Sequence, residues 1–344
     1  MKAAVFKEHG ASDVLEVIEL DSPEPGHGEV LIRVQAFALN RLDVWTRQGM
    51  PNLDIEFPHI GGSDFAGIVE QCGEGVTSVK VGDRVVVNPT ISCRKCLHCR
   101  SGEISMCDQF QILGEHQNGG AAEYAVAPAT NLLPIPEDID VADAAATALT
   151  AMTAYRMIKT RAAIRPGEVV LVTGSGGGVG TMATQIANHL GGTVIALTSS
   201  QKKMELAKKL GATKVINYKE DDDWGRTARK LSNQNGIDIV VDSAGQAVFN
   251  TAVRSLAKGG RYVTCGATTG RNGEINLAAL FWKQLSILGS SMASHQEFEE
   301  VMHLFFTGKI SPVIDSTYRL DEIQQAHERL ENPEHTGKIV IRLD

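Results

Sequence analysis

No stretch of this 344-residue chain approaches the eighteen or so consecutive apolar residues that a membrane-spanning helix needs. No apolar leader follows Met1 and only six cysteines occur, so a small disulfide-stapled secreted fold is not expected and a cytoplasmic location is. Aromatic residues are sparse at 5%, and basic residues are outnumbered, giving a formal net charge of −8. That balance argues against nucleic-acid and anionic-membrane partners. What remains is 43% hydrophobic residues, enough for a large core in two domains, and 34 glycines, which suit tight turns and close backbone approach to a ligand.

Four of the six cysteines fall in one run, CRKCLHCRSGEISMC, as Cys93, Cys96, Cys99 and Cys107. Thiols at this spacing can surround one tetrahedral ion, and a complete thiolate set leaves no open position for water or substrate. One structural zinc per chain is the reading adopted. An iron–sulfur centre, disulfides or four unrelated thiols are the alternatives.

The texture of the chain changes near residue 141. Before it, short β-branched segments at 1–6, 14–20, 30–38, 67–70 and 84–87 read as strands separated by glycine and proline turns. After it, Asp140 can cap an alanine-rich helix over 142–150, which resumes after a break over 153–161. Strands at 169–173, 194–197, 215–216, 237–242, 261–265 and 286–288 then alternate with helices, the pattern of a doubly wound parallel sheet in an α/β fold. Helices at 297–306 and 321–331 and a strand at 337–343 are expected to return to the first domain.

The segment VVLVTGSGGGVGTMATQIANHLG is a strand, a glycine turn and a helix. Gly174, Ser175, Gly176, Gly177, Gly178, Val179 and Gly180 would let the backbone approach a dinucleotide pyrophosphate at a helix start. The next strand ends in VIALTSSQKK, without the Asp or Glu that would take the adenosine ribose hydroxyls. Ser199, Ser200, Lys202 and Lys203 offer hydroxyls and positive charge for a 2′-phosphate, which favours NADPH, with NADH as the alternative. Gly245 and Gly266 follow strands, at the carboxyl edge where such sheets bind ligands. Cys72 and Cys265 are isolated and read as packing residues.

Taken together, PEPGHGEVLIRVQAFALNRLD, HIGGSDFAGIVEQCGEGVTSVKVGDRV, the cysteine run, ALTAMTAYRMI, the glycine turn and KKLGATKVINYKE resemble the medium-chain dehydrogenase/reductase superfamily over essentially the whole chain. The resemblance implies a GroES-like catalytic domain over 1–150 with a zinc lobe at 92–108, a Rossmann domain over 151–289, a return over 290–344, and substrate between the two domains. Alcohol dehydrogenases of this superfamily hold a second, catalytic zinc, and the matching positions here are Asn40, Ser63 with Asp64, and Leu149. Those side chains do not make a divalent site, so no catalytic metal is expected.

The resemblance also implies roles for individual residues. Asn40 would orient the substrate oxygen, Asp43 would secure its loop, and Asp64 would orient Asn40 or a water. His116 is the candidate proton donor, with His59 a weaker one. Thr153 would lie near the nicotinamide and Tyr218 beside the adenosine phosphate, and residues 284–290 would form the edge strand through which homodimers or homotetramers join.

Without a metal to polarise an isolated ketone, the expected substrate is a quinone or an α,β-unsaturated carbonyl, reduced by hydride from NADPH. An alcohol or aldehyde oxidoreductase is the second reading, and a non-enzymatic nucleotide-binding protein the third.

Overall fold

The computed structural model describes residues 1–343, which form two compact units, residues 1–149 with 293–343, and residues 150–292. The first unit is built on antiparallel sheet. Its organising strand, Glu29–Leu39, buries Val30, Ile32, Val34, Phe37 and Leu39 and pairs with Asp64–Cys72 on one side and Lys338–Arg342 on the other. Tyr124–Pro128 pairs with its first half. Arg84–Val87, Leu132–Pro134 and Ile314–Arg319 complete seven strands, and Lys2–Phe6, Leu15–Glu19 and His59–Ile60 form a second, three-stranded sheet.

The strand read at 67–70 is longer than expected, running Asp64–Cys72. Gly67, where the expected strand began, lies inside it. A Cβ there would stand 2.1 Å from the Arg33 carbonyl oxygen, so the residue marks a close backbone approach beside a register shift, not a chain break. The strand Ile314–Arg319, IDSTYR, was not expected, because its polar residues hide the apolar alternation of a strand at the sheet rim.

Register decides where the chemistry-bearing residues meet. Ala38 lies opposite Asp64, and Ile339 lies opposite Leu39. Antiparallel pairing therefore brings Lys338, just ahead of Ile339, to the end of the central strand where Asn40 begins the helix Arg41–Gln48.

The second unit carries a six-stranded parallel sheet in the order Lys214–Asn217, Thr193–Thr198, Val169–Val172, Ile237–Asp242, Leu256–Thr264, Ser286–Gly289. This is the strand order of a dinucleotide-binding sheet, reversing direction of growth at Val169–Val172. The expected break within 142–161 does not occur. One helix runs Val141–Tyr155 and widens into a π-type segment at Arg156–Arg161. No glycine or proline interrupts it, and Met152, Ala154 and Met157 are fully buried, so packing holds the backbone helical where propensity alone suggested a stop. The Asp140 carboxylate accepts the Ala142 N–H at 2.7 Å at its start.

Candidate active site

Asn40, Asp43, Asp64 and Lys338 form one buried polar cluster at the end of the first unit's central strand. Asp64 Oδ2 accepts hydrogen bonds from Asn40 Nδ2 at 2.9 Å and from Lys338 Nζ at 2.8 Å, while its Oδ1 accepts the Leu149 N–H at 2.6 Å. Lys338 Nζ also donates to Asn40 Oδ1 at 2.5 Å. Because an ammonium can only donate, this contact fixes which way the Asn40 amide faces. The remaining contact of Asn40 Nδ2, to the Ala38 carbonyl, is long at 3.4 Å.

Asp43 ties the loop beneath. Its carboxylate accepts the Asn40 N–H at 2.7 Å and the Gly62 N–H at 2.9 Å, and burial nevertheless raises its pKa. Gly62 adopts φ +87°, and a Cβ there would reach 2.7 Å from the Ala121 nitrogen, so this turn admits only glycine. Next to it, the Ser63 hydroxyl is fully buried without a partner.

The loop 114–116 packs against this turn. His59 Nε2 contacts the Gly114 carbonyl at 3.3 Å, and burial lowers the His59 pKa. His116 Nδ1 accepts the Ile112 N–H at 3.2 Å, which places the proton of the neutral ring on Nε2; protonating Nδ1 would set one N–H against another. Burial lowers the His116 pKa as well. The same nitrogen, His116 Nδ1, lies 3.8 Å from Glu115 Oε2. Glu115, not picked out by any sequence motif, is 8% exposed, and its buried Oε2 has no hydrogen-bond partner. Burial, reinforced by Asp43, pushes its pKa up to about 7.

In the second unit, the strand Val169–Val172 leads through the glycine turn into the helix Gly178–His189, capped by Gly177. Gly174 adopts φ +56°, and a Cβ on Gly180 would stand 2.3 Å from the Gly174 oxygen. The turn is therefore tight, and it leads directly into the start of the helix. Ser175 is committed inward, its hydroxyl donating to the Leu197 carbonyl at 3.0 Å, which leaves that oxygen's proton spoken for. Thr193–Thr198 ends immediately before Ser199 and Ser200. Ser200 caps the helix Gln201–Lys209 by accepting the Lys203 N–H, and the Lys203 stem crosses Gly176, where a Cβ would meet it at 2.7 Å. Val179 is half-buried on the first turn of Gly178–His189, Tyr218 is 40% exposed after Lys214–Asn217, and Thr153 is buried with its hydroxyl unpartnered.

Asp242, also missed in the sequence, organises the turns carrying Gly245 and Gly266. Its carboxylate accepts the Gly245 N–H at 2.9 Å, the Ala244 N–H at 3.0 Å, the Tyr262 hydroxyl at 2.6 Å and the Thr173 hydroxyl. Cys265 beside it is half-buried, and desolvation, reinforced by the Asp242 charge, pushes its thiol up to about 12.

The sulfurs of Cys93, Cys96, Cys99 and Cys107 all lie within 4.8 Å of one another, including pairs at 3.9 Å (Cys93–Cys99) and 3.5 Å (Cys96–Cys99). A tetrahedral zinc with thiolate bonds of about 2.3 Å requires sulfur separations of about 3.8 Å, so the donor set fits that ion. Backbone N–H groups stabilise thiolate charge here: Cys93 N and Gln109 N each donate to Cys107 Sγ at 3.3 Å. The N–H groups of Lys95 and Cys96 draw the Cys93 thiol down to about 6.

Residues 26–137 match the model of the alcohol dehydrogenase GroES-like domain, and residues 178–307 that of the zinc-binding dehydrogenase. The acryloyl-coenzyme A reductase of Metallosphaera sedula is 32% identical over 99% of both chains. The chain belongs to the medium-chain dehydrogenase/reductase superfamily. Membership makes it an NAD(P)-dependent oxidoreductase of the medium-chain type. The NAD-dependent alcohol dehydrogenase of Saccharolobus solfataricus is 31% identical over 95% of this chain and 96% of its own. A crystal structure of an NAD-dependent alcohol dehydrogenase superposes with a TM-score of 0.96 at 41% identity, covering all of both chains. The mixed α/β architecture, with a GroES-like domain and a parallel Rossmann-type sheet, is that of the superfamily.

Proposed function

We propose that this protein reduces α,β-unsaturated carbonyls or quinones with NADPH, without a catalytic metal. The observation that carries this reading is the buried cluster itself: Asn40 and Asp64, at two of the positions matching the family's second zinc site, are hydrogen-bonded to each other and to Lys338. Asn40 and Lys338 are a neutral amide and a cation, neither of which ligates Zn²⁺ well. The name of the acryloyl-coenzyme A reductase points to the same chemistry, and the names of the alcohol dehydrogenases to the runner-up, an alcohol or aldehyde oxidoreductase.

A reduced nicotinamide supplies a hydride when bound. The glycine turn would receive the dinucleotide phosphates, and Ser199, Ser200, Lys203 and Tyr218 the adenosine end. The absence of a carboxylate after Thr198, with Lys203 folded over the turn, favours a 2′-phosphate. In the first unit, conjugation lets negative charge spread onto the substrate oxygen, where hydrogen-bond donors suffice to hold it. Asn40 supplies such a donor, Asp43 and Asp64 hold it in place, and Glu115 carries a proton near neutrality for the carbon or oxygen that needs one. His116 then serves as a neutral donor at Nε2. Cys93, Cys96, Cys99 and Cys107 would hold one structural zinc per chain.

The edge strand Ser286–Gly289 and the neighbouring helix Leu277–Lys283, which exposes Leu277, Phe281 and Trp282, support assembly into homodimers or tetramers through the Rossmann unit.

Steady-state turnover tests this reading. Purified enzyme should oxidise NADPH with an enone or quinone at least ~10-fold faster than with the matching saturated ketone. Two zincs per chain, with alcohol oxidation lost on chelation, would establish the runner-up instead.

A further inference from the structure

Resting on that functional reading, we infer that Lys338 is a positioning residue for the reaction, fixing and polarising the Asn40 amide so that Asn40 donates to the substrate oxygen on which negative charge collects. The lysine is 2% exposed, at the start of the C-terminal strand Lys338–Arg342, and the register of that strand against Glu29–Leu39 leaves its side chain at the sheet end beside Asn40.

Three features of the cluster carry the argument. First, Lys338 Nζ meets Asn40 Oδ1 at 2.5 Å and Asp64 Oδ2 at 2.8 Å, so the amide oxygen accepts from an ammonium group that Asp64 also pairs. A charged donor on the oxygen of an amide draws electrons from its nitrogen and strengthens the N–H groups as donors. Second, Asn40 Nδ2 spends one hydrogen on Asp64 at 2.9 Å, while the other has only the Ala38 carbonyl at 3.4 Å. That second hydrogen is the one a better acceptor can take. Third, the Ser63 hydroxyl on the adjoining turn is buried without a partner, which marks this end of the sheet as short of a polar group. An enolate or quinol oxygen would supply it.

The cation therefore acts one hydrogen bond behind the donor. Its charge counts most when the substrate oxygen becomes anionic and little when that oxygen is a neutral carbonyl, so it should act on the chemical step more than on binding.

The experiment compares Lys338→Gln, Lys338→Arg and Asn40→Ala in the full-length enzyme, using NADPH and an enone, with thermal melts and cofactor titration as folding controls. Lys338→Gln is expected to lower kcat ~100-fold, with the enone KM and cofactor dissociation constant changing less than ~3-fold. In the Asn40→Ala background the same change should cost less than ~3-fold in kcat, because its route runs through Asn40. Lys338→Arg keeps the charge and the pair with Asp64 but not the point contact, so its kcat should fall between ~3-fold and ~10-fold at unchanged KM. If Lys338→Gln does not fold, the arginine enzyme decides alone. An unaltered kcat in the folded variants, an undiminished effect in the Asn40→Ala background, or a loss confined to KM overturns the role of Lys338 and leaves the functional reading standing. No enone turnover by the unsubstituted enzyme overturns both.

Discussion

His327 should make the stability of the first unit fall with acid in a way that can be calculated. It sits on the helix Ile323–Glu331, 4% exposed, beside the wholly buried Arg47, whose guanidinium donates to Glu331 at 2.5 Å. Burial, with the Arg47 charge second, pulls the His327 pKa from 6.5 down to about 3. The folded state therefore keeps this ring neutral while the unfolded chain binds a proton below pH 6.5, so stability is complete above that value and declines as pH falls toward about 3. Each unit of pH below the unfolded pKa costs about 1.4 kcal/mol, so about 2 kcal/mol should be lost between pH 7 and pH 5 through this residue alone. The chain has three tryptophans, and replacing Trp224 and Trp282 with Phe leaves Trp45, on the helix Arg41–Gln48 that carries Arg47, as the reporter of urea unfolding. His327→Gln should shrink the loss between pH 7 and pH 5 by that amount, whatever its own stability. Burial also lowers the pKa of His59, His116 and His295, so their shared contribution remains in both proteins and cancels in the comparison. Equal pH dependence in the two proteins would refute the reasoning.

Two other tests reach different parts of the molecule. Lys203→Ala should raise the KM for NADPH by ~10-fold or more while leaving that for NADH within ~3-fold, as loss of a charged contact to a 2′-phosphate would do; equal effects on the two cofactors in steady-state kinetics would remove Lys203 from that contact. Titrating the denatured and native protein with a thiol-reactive mercurial in the presence of a zinc indicator should release one zinc per chain, and Cys96→Ser should release none and melt at lower temperature. Release of no zinc from the unsubstituted protein would contradict the assignment.

The second unit was legible in sequence because each layer of signal agreed: apolar β-branched runs, a glycine turn and alanine-rich helices at parallel-sheet spacing. The cysteine lobe was legible for a related reason, since all four thiols lie within fifteen residues. The polar cluster was only half visible. Asn40, Asp43 and Asp64 could be picked out by their place in the chain, but Lys338 lies 298 residues from Asn40 and meets it through strand register. A lysine directly ahead of the apolar run Ile339, Val340 and Ile341 was the available signal, since a charge entering a buried strand needs a partner. Glu115 and Asp242 gave no such hint, because what distinguishes them is burial and the absence or abundance of hydrogen bonds, both of which arise only from packing. The unbroken helix Val141–Tyr155 was missed for the opposite reason: local propensity was read as decisive where burial prevailed.

Conjugate reduction without a metal is tested most directly by following the hydride. With NADPH deuterated at nicotinamide C4 and an α,β-unsaturated carbonyl substrate, NMR of the product should show deuterium on the β-carbon of a saturated carbonyl compound. Deuterium on a carbinol carbon, with the double bond intact, would contradict the account.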